Sequence, residues 1–160
     1  MARLHIGLVD TSVILRLIGK DGDDHAREAA DEFDARRSQG QRLVLTVTAL
    51  IEAGNHIAQQ KTGRRSLAVQ LAKLIKAANR PDAPWIVPET TLDRGFVDEL
   101  LEGNSTGSDL VTLVGDGRLG SGDVAILVER DRLQQKTANT SVEVWTLDDE
   151  LQAHSRRRPS

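Results

Sequence analysis

Apolar residues along the chain fall into short runs that alternate with longer stretches of helical spacing. Leu4 to Val9 (LHIGLV) is one such run, and it stops at Asp10-Thr11-Ser12, after which Val13, Ile14, Leu17 and Ile18 recur at helical intervals up to Gly19. This predicts a strand, a turn and a helix. Asp23 to Ser38 sets Ala26, Ala29, Ala30 and Phe33 among many charges, which predicts a partly exposed helix closed by Gly40. Leu43 to Val47 (LVLTV) predicts a second, buried strand, and Thr48 the N-cap of a helix running to Lys61. The helical period restarts at Ser66 and lasts to Ala78, with Leu67, Leu71, Leu74 and Ile75 on one face, and Pro81 and Pro84 end it.

Trp85 to Val87 reads as a short third strand and Thr90 to Leu101 as a helix bearing Leu92, Phe96, Leu100 and Leu101. Residues 103 to 122 are rich in glycine, and their one apolar run, Leu110 to Val114, fits a strand or irregular chain. Asp123 to Gln135 predicts a helix with Val124, Leu127 and Val128 inward, and Val142 to Leu147 (VEVWTL) a final strand that ends in Asp148. There is no internal repeat. Strands alternating with helices predict an α/β fold: a parallel sheet of roughly four to five strands, covered on both faces, with its functional edge at the carboxyl ends of the strands.

At 160 residues the chain suits one domain, taken as residues 1–154 followed by a basic tail over 155–160. Apolar residues at 39% and charged residues at 28% place it among globular rather than disordered chains. No apolar run approaches the roughly 18 residues of a spanning helix, and the N-terminus reads as a strand rather than a signal peptide, so a cytoplasmic, membrane-free protein is expected. Without cysteine, any metal must be held by oxygen or imidazole ligands, which favours hard cations.

The net charge of -3 supplies no global attraction for a polyanion, so an RNA would have to be held by local patches or through bound metal. Arg36-Arg37, Arg64-Arg65 with Lys73 and Lys76, and Arg156-Arg157-Arg158 are the densest patches, and each alone reads most simply as a solvated face or tail. Four aromatics, Phe33, Trp85, Phe96 and Trp145, are too few for a base-stacking platform, which disfavours a pure RNA-binding module.

The acids are more informative. Asp10 directly follows the first strand and Asp148 the last, and right-handed crossovers bring such strand ends together. Either one alone also serves as a helix cap. Asp123 lies in the first turn of its helix beside Ser121, where the helix dipole favours a carboxylate by roughly 0.3–1 kcal/mol without further purpose. Glu52 shares a polar helical stripe with Asn55, His56 and Gln59, opposite Leu50, Ile57 and Ala58, and by itself reads as a solvated glutamate. His56 is read as structural or exposed rather than as a ligand.

Taken in order, LHIGLVDTSVIL, TVTALIEAGNHI, GSGDVAILVE and VEVWTLDDEL change that picture. With these segments the chain resembles the PIN-domain family, which includes the toxins of bacterial toxin–antitoxin pairs, and the resemblance spans Leu4 to Leu151. It implies a three-layer α/β fold and a Mg²⁺- or Mn²⁺-dependent endoribonuclease leaving a 5′-phosphate and a 3′-hydroxyl. Asp10, Glu52, Asp123 and Asp148 are its implied catalytic, metal-binding acids. Asp10, Glu52 and Asp123 would be the direct ligands, with Asp148 a ligand or an orienting group. An antitoxin offering Arg or Lys to the acidic edge, and a homodimer, are the implied protein partners.

The chemistry agrees with the residue types. Converging carboxylates repel one another unless a cation neutralises them, and Mg²⁺ takes oxygen ligands while keeping waters that can act as nucleophile. Thr11 and Thr146 stand where their hydroxyls could fix carboxylate rotamers, although turn and strand threonines need no such role. Three departures from the family pattern stand out: the glycine-rich stretch before Asp123 is long, the segment after Asp148 leaves little room for a last edge strand, and Asp149 competes with Asp148.

Two rival readings remain. Gly115, Gly117 and Gly120 match GxGxxG after the run Leu110–Val114, which would suit a dinucleotide site if that run were a strand, but it leaves Asp10 and Glu52 without a role. The other is a catalytically silent PIN-like scaffold that works only by binding a partner.

Overall fold

The computed structural model describes residues 3–89 and 92–156. Four strands, β1 (Leu4–Val9), β2 (Gln41–Leu45), β3 (Trp85–Ile86) and β4 (Thr140–Trp145), form one all-parallel sheet in the order β3-β2-β1-β4. The helices are α1 (Thr11–Leu17), α2 (Asp23–Ser38), α3 (Val47–Ala58), α4 (Arg64–Ala78), α5 (Arg94–Leu101), α6 (Leu110–Gly115), α7 (Ser121–Lys136) and α8 (Asp149–Gln152). This is the expected three-layer α/β arrangement, with four strands.

Strand alternation divides the core. Val9, Leu43, Leu45 and Trp145 point to the face covered by α1, α2, α3 and α4, where they meet Ile14, Phe33, Ala53 and Leu71. Ile6, Leu8, Val44, Val142 and Val144 point to the other face, under α5, α6, α7 and α8, against Leu100, Leu113, Leu127 and Leu151. Burial on both sides is why the strands read as nearly continuous apolar runs. The order also creates a switch: the chain steps outward from β1 to β2 to β3, then returns to the opposite side of β1 as β4. Crevices at such a switch, beyond the carboxyl ends of the strands, are where ligands bind in open α/β sheets.

Several boundaries differ from the sequence expectation. The second strand ends at Leu45, level with Val9, and Thr46 rather than Thr48 caps α3, its hydroxyl accepting from the Ala49 amide at 3.2 Å. The buried stripe of α3 is Ala49, Ala53 and Ile57, whereas Ala58 is exposed. Thr90 and Thr91, where the next helix was expected to begin, lie outside the described residues; α5 starts at Arg94 because Asp93 accepts from the Phe96 amide at 2.8 Å.

Leu110–Val114 is neither strand nor irregular. Asp109 caps it as α6 by accepting from the Thr112 amide at 2.8 Å, and Leu113 is fully buried while Val111 faces solvent. Gly115 is the last residue of α6 and Gly117 and Gly120 follow it, so the strand–turn–helix context of a dinucleotide fingerprint is missing.

The last strand also ends earlier, at Trp145. Beyond α8 the chain folds back on β4: the Ser155 carbonyl accepts from the Val144 amide at 2.9 Å, and Arg156 forms an isolated antiparallel bridge with Glu143. Ser155 is buried, so 155 and 156 belong to the fold rather than to the expected tail, and Arg157 and Arg158 lie outside the described residues. Glu143 anchors this return. Burial alone would raise its pKa, but hydrogen bonds from Arg156 and Gln41, with Arg36 close by, hold its carboxyl below the ordinary range. Among the described residues no helix is long and apolar enough to cross a membrane.

Candidate active site

β1, β2 and β4 end at the same level, since Val9 is in register with both Leu45 and Trp145. The residues that follow, Asp10, Thr46 and Thr146, therefore stand side by side at the carboxyl edge. Asp10 is buried, and its Oδ2 accepts from the Ser12 hydroxyl at 2.7 Å, the Thr146 hydroxyl at 2.8 Å and the Ser12 amide at 3.3 Å. The last of these makes Asp10 the N-cap of α1, so capping and site-building are one arrangement rather than alternatives. Ser12 additionally accepts from the Leu147 amide at 3.0 Å, and the Thr146 hydroxyl from the Asp148 amide at 3.0 Å, which ties the end of β4 to the end of β1.

Glu52 reaches the same edge from α3. Its Oε2 accepts from the Thr11 hydroxyl at 3.0 Å, and its carboxylate lies against the first turn of α7, where the positive end of the helix dipole favours an anion. Gly122 makes that possible: a Cβ at this position would sit 1.8 Å from Glu52 Oε1 and 2.2 Å from its Cδ. Because the obstructed atoms are the end of a flexible side chain, Gly122→Ala should fold normally and displace only the Glu52 carboxylate. The expected result is an unchanged melting curve and, for a cleft that holds a divalent cation, an affinity by calorimetry weakened about 10–100-fold; native affinity in the variant would show that Glu52 takes no part in holding a cation.

Asp123, in the first turn of α7, accepts from the Gly120 amide at 2.8 Å through Oδ2. The long glycine-rich connection thus returns the acid to the edge, because Leu113 and Leu119 anchor it in the core. Asp148 is exposed and caps α8, its Oδ1 accepting from the Leu151 amide at 2.9 Å. Asp149 is the first residue of α8, and only Asp148 joins the cleft.

All four acids line one cleft of about 430 Å³, together with Thr11, Ser12, Arg16, Lys20, Asp21 and His56. Burial first, then the charges of Asp10, Glu52 and Asp148, push the Asp123 carboxyl up to about 6, even though the Gly120 amide works against the shift. The folded chain therefore keeps this proton to about pH 6, whereas an unfolded chain releases it near 3.8, so stability falls as pH rises between those values. Allowing for the group's partial exposure, native protein should lose on the order of 1 kcal/mol relative to Asp123→Asn between about pH 4 and pH 7. Melting temperatures of both proteins in EDTA across that range would show it as a gap widening by about 2–4 °C, and parallel curves would exclude the raised pKa.

Among the described residues, no three acidic or histidine side chains already close on one point at metal-holding distance. Mutual repulsion favours that spread. The donor set is nevertheless suited to a hard cation: four carboxylates, no thiolate, and in each of them the hydrogen bonds among the described residues engage a single oxygen. Asn55 and Gln59, expected on the stripe with Glu52, are exposed and outside the cleft.

Thr11 and Thr146 hold the carboxylates that the sequence had suggested. Ser12, Arg16, Lys20 and Gly122 were not expected in the site. Ser12, Arg16 and Lys20 had a readable signal, since steps of four along α1 and its end put them on Asp10's side of the turn. Gly122 had none. No protein-family model and no curated protein matches the chain.

Proposed function

We propose that this chain is a metal-dependent endoribonuclease of PIN type, with Asp10, Glu52, Asp123 and Asp148 as its acidic centre. One observation carries the reading: acids from four separate elements line a single cleft at the sheet's switch point, where burial first and the charges of the other three next raise the pKa of Asp123. Acids held together at such a cost to stability suit a site that works with a bound cation.

Asp10, Glu52 and Asp123 would hold Mg²⁺ or Mn²⁺, with Asp148 as a further ligand or an orienting group. When bound, such a cation neutralises the carboxylates and supplies an activated water and charge stabilisation for in-line displacement at phosphorus. The chain's own groups set the stage. Ser12 and Thr146 lock Asp10 by engaging one oxygen, and Thr11 does the same for Glu52, so both present a fixed second oxygen. Lys20 offers a cation to the phosphate on the wall of the same cleft, beside Arg16, whose Nε donates to Asp21 at 3.3 Å. His56 lines the cleft as an exposed side chain and has no assigned step.

As the toxin of a toxin–antitoxin pair, the protein would be silenced by a partner laying an Arg or Lys onto these carboxylates. The decisive test is cleavage of labelled single-stranded and structured RNAs with Mg²⁺ or Mn²⁺, with an EDTA control. Metal-dependent cutting at the phosphodiester, lost in EDTA, is expected. No cutting of any RNA, with no cation bound by calorimetry, would leave the silent partner-binding scaffold as the better account.

A further inference from the structure

The chain from Ala53 to Pro81 contains no acidic residue, yet it carries Lys61, Arg64, Arg65, Lys73, Lys76 and Arg80. Six of the positive charges of a chain with net charge -3 are thereby gathered in the α3–α4 hairpin, which leaves the remainder at -9. All six side chains are exposed, and among the described residues none of them forms an ion pair. α2 shows the ordinary alternative: there Arg27, Arg36 and Arg37 pair with Asp24, Glu32 and Asp34 one turn away.

The arrangement on α4 works against the helix. Arg64 and Arg65 occupy its first turn, at the positive end of the dipole, without an acid there or a side-chain cap. Lys73 with Lys76, and Lys76 with Arg80, are like charges three and four residues apart. At 3.6 residues per turn, Arg65, Lys73 and Lys76 fall on one arc spanning about 17 Å, opposite the core-facing Leu67, Leu71, Leu74 and Ala78. A solvated face maintained only for solubility would gain from interspersed acids. An unbroken cationic arc is what a polyanion needs.

We propose that the outer face of α4 is a rail for a nucleic-acid phosphate backbone, with Arg65, Lys73 and Lys76 at its centre and Lys61, Arg64 and Arg80 at its ends. The acid-free hairpin starts immediately after Glu52, whose carboxylate lines the acidic cleft, and His56 on the same helix lines it too, so α3 joins the hairpin to the wall of that cleft. Ala53 to Pro81 holds no aromatic residue, so the contact is electrostatic and indifferent to base sequence. The rail deepens the ribonuclease reading, and rests on it for the fate of the strand but not for the binding itself.

The test uses the full chain carrying Asp10→Asn, so that RNA is not cut, and a fluorescein-labelled single-stranded RNA of about 20 nucleotides, followed by anisotropy between roughly 50 and 200 mM salt. Arg65→Gln/Lys73→Gln/Lys76→Gln should weaken binding at least about tenfold at the lower salt and flatten the log–log salt slope by about 2. Arg27→Gln/Arg37→Gln/Arg94→Gln, with the same change in net charge elsewhere, should leave both within about twofold. An unchanged slope in the first variant, equal losses in both, no binding by the parent, or competition by polyglutamate as effective as by RNA would each overturn the rail. With Asp10 restored, the first variant should cut a trinucleotide at the parental rate and the long RNA with reduced kcat/KM. Failure of all cutting with the binding result intact would count against the nuclease reading alone.

Discussion

Asp10→Asn should reduce metal-dependent RNA cleavage at least about 100-fold while leaving the melting temperature equal or higher. Substituting groups that merely orient a metal ligand costs about 10–100-fold, so removing the charge of a direct ligand should exceed that range. The fold should tolerate the change for three reasons. Asn caps helices as well as Asp, so α1 keeps its start through the Ser12 amide. An amide oxygen in place of Oδ2 still accepts from the Ser12 and Thr146 hydroxyls. Losing one of four like charges also relieves repulsion in the cleft. Thr146→Val serves as the graded companion, with an expected loss of about 10–100-fold because Asp10 keeps its charge but loses one of its fixed donors. Cleavage by Asp10→Asn at the native rate would remove Asp10 from the chemistry and the proposed centre with it.

Asp131→Ala should be strongly destabilising, at about 3–5 kcal/mol, because it removes the carboxylate of a buried ion pair. Arg130 and Asp131 are 4% and 7% exposed, and the Asp131 Oδ1 accepts from Arg130 Nε and Nη2, each at 2.8 Å. Asp131 Oδ2 accepts from the Asn104 side chain at 3.0 Å, and Arg130 Nη1 donates to the His154 carbonyl. The pair thus fastens α7 to the glycine-rich connection, where Asn104 adopts a φ of 47°, and to the segment returning along β4. Losing about 3–5 kcal/mol from a total that is typically 5–15 should lower the urea midpoint by roughly 1–2 M or more. A shift of only a few tenths molar would mean that solvent reaches the pair in solution.

The contrast between these two acids shows what could be read in advance. Asp10 was legible because it ends an apolar run and opens a helical period, a place with geometric meaning in any parallel α/β sheet. Asp131 sits among Glu129, Arg130 and Arg132 on a helix, where the pattern predicts a solvated charge cluster. Its burial depends on Asn104 and His154, which are distant in sequence. The ambiguity at Leu110–Val114 has the same origin. Four apolar residues and a threonine fit either period, and the choice fell to Asp109 as a cap and to the burial of Leu113 in the core.

Thr48 was the expected cap, and the pairing that stops at Val9 and Leu45 gave that place to Thr46. In the site, Asp10 and Asp148 stood out at strand ends and Asp123 in a first helical turn, which are local properties of the chain, whereas Glu52 joined them only through the resemblance to the PIN-domain family. That Ser12 and Thr146 share one oxygen of Asp10, and that Gly122 leaves space for the Glu52 carboxylate, are contacts over 134, 136 and 70 positions of chain that no local pattern encodes. The chain by itself determined most of the strands and helices and the places of Asp10 and Asp148 at the sheet's carboxyl edge, because burial period and capping act over a few residues. Only the tertiary structure decided which atoms those acids engage and how far their charges interact, because both depend on side chains brought together when the two faces of the sheet are covered.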